Sequence, residues 1–167
     1  MRNKIILIFV IVLVVLAAWS AVSHSRIVAA DALATKQWLA ADSAYAARFA
    51  RMADALSSTD AAGFAAAVNR YVSSQGMDTK ALAAADVEAE YAQAVFAKDG
   101  DLTVPSSLSA ARLEAVQATD AAVSAARGSY NEAVRVYNTS ISGFPGSVVA
   151  RMFGYGPRTY LRATDGF

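Results

Sequence analysis

Hydrophobic and polar positions fall into two regimes along this 167-residue chain. Residues 5–22 carry no charge, and residues 5–16 are an unbroken run of Ile, Leu, Val and Phe. As a helix such a run spans about 27 Å, close to the roughly 30 Å of a bilayer's hydrocarbon core. A core helix of a globular domain would show a polar face, and this one shows none. Trp19 lies near its C-terminal end, where an indole favours the membrane–water boundary. Residues 1–22 are therefore expected to form an N-terminal membrane anchor, single-pass, in the cell membrane. The competing reading is a cleavable signal peptide, with a basic start at Arg2 and Lys4 and a small-x-small site at Ala21-Val22-Ser23. The length of the apolar run, and its passage without a break into a helical pattern from Arg26, favour retention. Arg2 and Lys4 before the run, against Arg26 and Lys36 after it, favour a cytoplasmic N-terminus and an extracytoplasmic domain.

Beyond the anchor, apolar positions recur at helical spacing. Trp38, Tyr45, Phe49, Met52 and Leu56 form one stripe on a first helix continuing to about residue 56. Ser58-Thr59-Asp60 reads as a stop followed by a cap. A short helix carries Phe64, Val68 and Tyr71 as far as Gly76. A third, capped by Asp78 or Thr79, carries Leu82, Tyr91, Val95 and Phe96 and stops at Asp99-Gly100. A loop over 101–105 and a cap at Ser106 or Ser107 lead into a last long helix over 107–142. There Val116, Val123, Tyr130, Tyr137 and Phe144 recur every seven residues, with Val134 and Ile141 between them, as in a coiled-coil seam. Gly128 inside that helix points to a close helix approach. Pro145 ends it, and a short apolar turn and a Gly/Pro-rich tail follow.

Four such helices predict an all-α, up-down-up-down helical bundle fed by the membrane helix. The organisation expected is an anchor over 1–22, a bundle over 23–145 and a short helix with tail over 146–167. Parity then brings the fourth helix back to the bilayer. Residues 144–160 are expected at its surface, with Phe144, Phe153, Tyr155 and Tyr160 in the interface and Arg151 and Arg158 facing headgroups.

Composition narrows the class. Alanine supplies 39 residues, proline 3 and glycine 9, which favours helix throughout. Net charge is +1, and without Arg2 and Lys4 the remainder stands at −1, with no clustered basic footprint for nucleic acid. The absence of cysteine excludes disulfides, thiolate catalysis and zinc–sulfur sites.

No catalytic, cofactor or metal constellation emerges. His24 is the only histidine, beside the anchor, so no serine has a candidate base. Glu88 and Glu90 point apart on a helix, and Glu114 and Glu132 are isolated. Gly154-Tyr155-Gly156 does not follow a strand, so it is no nucleotide fingerprint. Asn131 and Asn138 lie seven apart beside the tyrosine seam. They would either meet a partner protein or, as the favoured reading, fix register between helices. Asp31, Lys36, Asp42, Arg48, Arg51 and Asp54 alternate in sign along the first helix, which reads as a solvated face, or alternatively as a docking face.

The C-terminal stretch reads Tyr130-Asn131-Glu132-Ala133-Val134-Arg135, Tyr137-Asn138, Ile141 and Phe144-Pro145-Gly146-Ser147-Val148-Val149-Ala150, then Phe153-Gly154-Tyr155 and Arg158-Thr159-Tyr160. In these residues it resembles the LemA family of bacterial membrane proteins. Trp38, Asp42 and Arg48 sit where the family places a tryptophan, an acidic residue and an arginine. The family's Pro-Asn-Leu-Val segment is replaced by Ala53-Asp54-Ala55-Leu56. The resemblance implies a single-pass helical-bundle membrane protein without established catalysis. Its candidate interaction residues are Trp38, Arg48, Tyr130, Asn131, Arg135, Tyr137, Asn138, Phe144, Pro145, Phe153, Gly154 and Tyr160. The expected role is a scaffold or protein-interaction module of envelope or internal membranes. Its expected partners are the lipid bilayer and a protein partner or a second copy, with no small-molecule substrate. The alternative is a lipid- or small-ligand-binding bundle.

Overall fold

The computed structural model describes residues 2–57, 61–96 and 110–162. Six α-helices and no strand occur among the described residues: α1 (Arg2–Ala55), α2 (Ala62–Ser73), α3 (Met77–Phe96), α4 (Ala110–Gln117), α5 (Asp120–Ser142) and α6 (Gly146–Phe153). The all-α expectation holds. The stop at Ser58-Thr59-Asp60, the Asp99-Gly100 stop, the 101–105 loop and the Ser106 or Ser107 cap lie outside the described residues.

Helix α1 carries both regimes of the sequence without interruption. Its apolar N-terminal part is long and apolar enough to cross a membrane, and among the described residues there no side chain is buried. From Ser23 the exposure becomes periodic: Ile27, Ala30, Ala34, Trp38, Ala41, Tyr45, Phe49, Met52 and Ala55 are buried in steps of three and four. Alanine at four of these positions lets neighbouring backbones come close at full packing density.

Contacts divide the chain into two compact units. The first comprises Met1–Thr35 and Glu132–Arg158. Its core is Ile27, Ala30, Tyr137 and Val149, with Ile141 and Tyr155 packed against it. The second comprises Lys36–Asn131 and Thr159–Phe167. Trp38, Tyr45, Phe49 and Met52 of α1 are buried there, with Phe64 and Tyr71 of α2, Val87 and Tyr91 of α3, Val116 of α4 and Tyr130 of α5. Edge-on ring pairs join Phe49 to Tyr71 at 5.0 Å and Trp38 to Tyr130 at 5.3 Å.

Several local expectations need correction. The long fourth helix is broken: Thr119 N–H turns back to the Val116 carbonyl at 2.9 Å, and α5 restarts at Asp120. The Thr119 hydroxyl donates to the same carbonyl at 2.6 Å, a local bond that competes with the helical ladder. Neither Asp78 nor Thr79 caps α3, which starts at Met77 directly after Gly76 in a left-handed conformation (φ +89°). Thr79 donates back to the Gly76 carbonyl at 3.1 Å, and Asp78 serves the C-terminal tail. Leu82 is exposed rather than in the core. The heptad stripe is buried at Val116, Val123, Tyr130, Val134 and Tyr137 but ends before Phe144, which is 70% exposed. Gly128 faces open space. The close approach is instead at Gly146, where an added Cβ would run into the Ser140 carbonyl.

Candidate functional site

In the first unit, the Tyr137-Asn138 pair on α5 holds the irregular tail that follows α6. Tyr137 is buried and its hydroxyl donates to the Gly156 carbonyl at 2.9 Å. The Asn138 carboxamide donates to the Arg158 carbonyl at 3.0 Å and accepts the Arg158 N–H at 2.9 Å. One side chain thereby supplies the donor and acceptor that a neighbouring strand would offer. The Arg158 guanidinium lies 5.3 Å from the centre of the Tyr137 ring and donates to Asp31 of α1 at 2.5 and 3.0 Å. Burial raises the Tyr137 hydroxyl pKa, with Asp31 pushing the same way, so it stays a donor at neutral pH.

The same device recurs in the second unit. Tyr130 is fully buried and donates to the Thr159 carbonyl at 3.1 Å. Asn131 donates to the Leu161 carbonyl at 2.8 Å and accepts the Leu161 N–H at 2.9 Å, while Asp78 accepts the Thr159 N–H at 2.8 Å. The two Tyr-Asn pairs are seven residues apart on α5, and the tail peptides they hold are three residues apart in sequence. Side chains meet the hydrogen-bonding demand that secondary structure would otherwise meet. The asparagines act on tail backbone, not between helices as the sequence reading favoured.

The second unit also holds a charge cluster that runs from buried Glu88 through partly buried Arg48 to exposed Asp120. Arg48 donates to Glu88 through Nε at 2.6 Å and Nη2 at 3.2 Å, to Thr119 at 3.1 Å, and to Asp120. Its guanidinium therefore sits at the break between α4 and α5. Burial works against its charge, but the bonds and charges of Glu88 and Asp120 outweigh that and raise its pKa above the ordinary value. Glu88 is 6% exposed, and burial pushes its carboxyl up against the pull of Arg48. Nearby on α1, Asp42 accepts from Lys80 at 3.0 Å and from the Tyr71 hydroxyl. Burial first, and then Asp42, raises the Tyr71 pKa. Asp31, Asp42 and Arg48 are thus bound internally, which corrects the reading of that face as solvated. Lys36, Arg51 and Asp54 remain exposed.

The other sequence-selected residues are dispersed. Trp38 is a core ring, and Arg135 forms an exposed i, i+3 pair with Glu132 at 2.6 Å. Pro145 precedes α6, and Gly154 closes it in the left-handed region (φ +75°), with the Tyr155 N–H bonded to the Ala150 carbonyl at 2.9 Å. Phe144, Phe153 and Tyr160 are exposed. Phe144 meets Trp19 edge-on at 5.2 Å, and Phe153 lies 4.5 Å from the His24 ring. Tyr155 is half-buried, its hydroxyl 3.3 Å from His24 Nε2. Arg158 is tied to Asp31. Neither Tyr155 nor Arg158 is thus free to face lipid as expected.

The sequence reading weighed Glu88 only as half of a catalytic pair with Glu90, and it missed both the pairing of Glu88 with Arg48 and the role of Asp120. The available signal was the register of position 88, a carboxylate within the buried run Ala84, Val87 and Tyr91. A separate open apolar groove of about 420 Å³ is lined by Ala53, Leu56, Phe64, Ala65, Val68 and Asn69 among others.

Residues 111–166, which include α5, α6 and the tail, match the LemA family. No curated protein and no solved structure matches the chain.

Proposed function

We propose, from the premise that residues 111–166 place the C-terminal part of this chain in the LemA family, that the protein is a membrane-anchored helical scaffold. Its body engages a protein partner or a second copy, and it performs no catalysis. The supporting observation is α1: a fully exposed apolar stretch continues as the same helix into a stretch with a buried stripe. The strongly placed charges, Arg48, Glu88, Asp42 and Asp31, are committed to structural pairs rather than gathered around a reaction space. The positive-inside bias supports a cytoplasmic N-terminus and an extracytoplasmic body in the cell membrane. Leu39 and Val72, 63% and 70% exposed, are apolar points on the body where a partner would seat. Photo-crosslinkers installed there in intact membranes should give discrete adducts. Monomer alone at both sites under all conditions would overturn the reading.

The groove supports a second reading, an apolar ligand site, because its 420 Å³ falls within the range of small-molecule pockets. A fatty acid should then raise the melting temperature of the wild type and not of an Ala65→Trp variant that fills the groove. Equal responses would exclude this reading.

A further inference from the structure

We propose that α6 and the Phe144 turn before it form a foot inserted into the headgroup region of the bilayer that α1 crosses. The proposal rests on the membrane reading of α1 and adds a second, non-spanning contact with the same lipid. Val148 and Met152 lie one turn apart on the outer face of α6, at 48% and 71% exposure, while Val149 and Ala150 pack inward. Phe144 and Phe153 extend this apolar surface at either end. A soluble protein rarely leaves such a face bare unless something apolar covers it.

Continuity with the anchor identifies what covers it. The Phe144 ring rests on Trp19, at the outer end of the apolar run, and Phe153 rests on His24, just beyond that run. Five residues of helix separate Trp19 from His24, about 7.5 Å along α1. The foot therefore slants, with Phe144 at the depth of the interfacial indole and Phe153 shallower. Arg26 and Arg151 are exposed on α1 and α6, where they suit the phosphates of anionic headgroups. A short amphipathic helix with a basic flank, held at this level, is suited to lie in the interface plane.

Because the chain has no cysteine, a bimane fluorophore can be placed at single sites in the full-length protein. The sites are Met152→Cys and Val148→Cys on the foot, Val12→Cys in the anchor and Gln75→Cys on the exposed body. The probes are vesicles of phosphatidylcholine with and without phosphatidylglycerol, brominated near the headgroup end or near the tail end of the acyl chains. Fluorophores at 148 and 152 should be blue-shifted and quenched by shallow bromines, position 12 quenched by deep bromines, and position 75 quenched by neither. Quenching at 152 should weaken without phosphatidylglycerol, and an Arg151→Gln background should lose that dependence. Quenching at 12 with 148 and 152 matching 75 would overturn the foot while leaving the anchor standing. A lack of quenching at 12 would instead remove the anchor, and the foot with it. Shielding of 148 and 152 from aqueous iodide without lipid quenching would assign the face to a second copy and overturn the proposal.

Discussion

Along α1, residues 6–22 expose large apolar side chains on every face, whereas from Ser23 onward burial returns every third or fourth position. Both stretches satisfy their backbone hydrogen bonds internally, so the helix itself is indifferent to the medium around it. Side chains alone distinguish the halves. Leaving a large aliphatic side chain in water forgoes about 1.5–3 kcal/mol relative to burying it. A run of the kind between Ile6 and Leu16 therefore needs an apolar surrounding that the described body does not provide. From Ser23 onward a stripe of the same helix is buried within the protein, and Asp31, Asp42 and Arg48 are engaged in intramolecular pairs.

The largest expected effect separates the halves directly. Phe49→Ala should cost the body about 3–5 kcal/mol, since the ring is 3% exposed and packs on Tyr45 and Tyr71. Leu13→Ala should leave urea unfolding of the detergent-solubilised protein unchanged. Equal losses at the two sites would mean that the first stretch packs within the protein.

Arg48→Met should cost about as much, 3–5 kcal/mol, because it strands Glu88 in the core without its partner. Adding Glu88→Gln should recover part of that loss, giving a coupling that denaturation of the single and double variants would measure. Additive losses would show that the pair is not coupled.

A smaller effect follows from the tail. Asn138→Ala removes both bonds to the Arg158 peptide and should cost about 1–3 kcal/mol. Amide exchange at Arg158 should accelerate while that at Leu161, held by Asn131, changes less. Unchanged exchange at Arg158 would remove the asparagine from this role.

The smallest effect is pH-dependent. Burial holds the Glu88 carboxyl above its ordinary value of 4.5. A group whose pKa rises on folding favours the folded state below its unfolded value, and that advantage is lost as pH climbs through the folded value. The wild type should therefore gain stability relative to Glu88→Gln as pH falls from neutral toward about 4.5. Urea midpoints across that interval check the sign, and a gap that moves toward the variant would contradict it.

What could be read from the sequence was what repeats locally. The uncharged run over 5–22, the Trp38-to-Met52 stripe and the heptads through Tyr137 each reflect a single helix's own periodicity. The interruption at Ala118-Thr119 carries no such mark, because both residues are tolerated inside helices. The break coincides with where Arg48, some seventy positions earlier, bonds Thr119 and Asp120. Pairs such as Asp31 with Arg158, 127 residues apart, arise from folding and leave no local pattern. The Tyr-Asn repeat was visible as a motif, but its partner is a tail with no periodicity of its own. Phe144 misled for a related reason: it keeps the seven-residue spacing but lies past the end of α5, so its ring leaves the buried stripe for Trp19.

Accessibility of single cysteines to a membrane-impermeant thiol reagent, stepped one residue at a time from position 6 to position 34 in vesicles, tests the division of α1 most directly. The result expected is complete protection on every face through about Val22, followed by protection only at every third or fourth residue, at Ile27, Ala30 and Ala34. Periodic labelling that continues unchanged back to Ile6, or full labelling from 6 to 22, would contradict it.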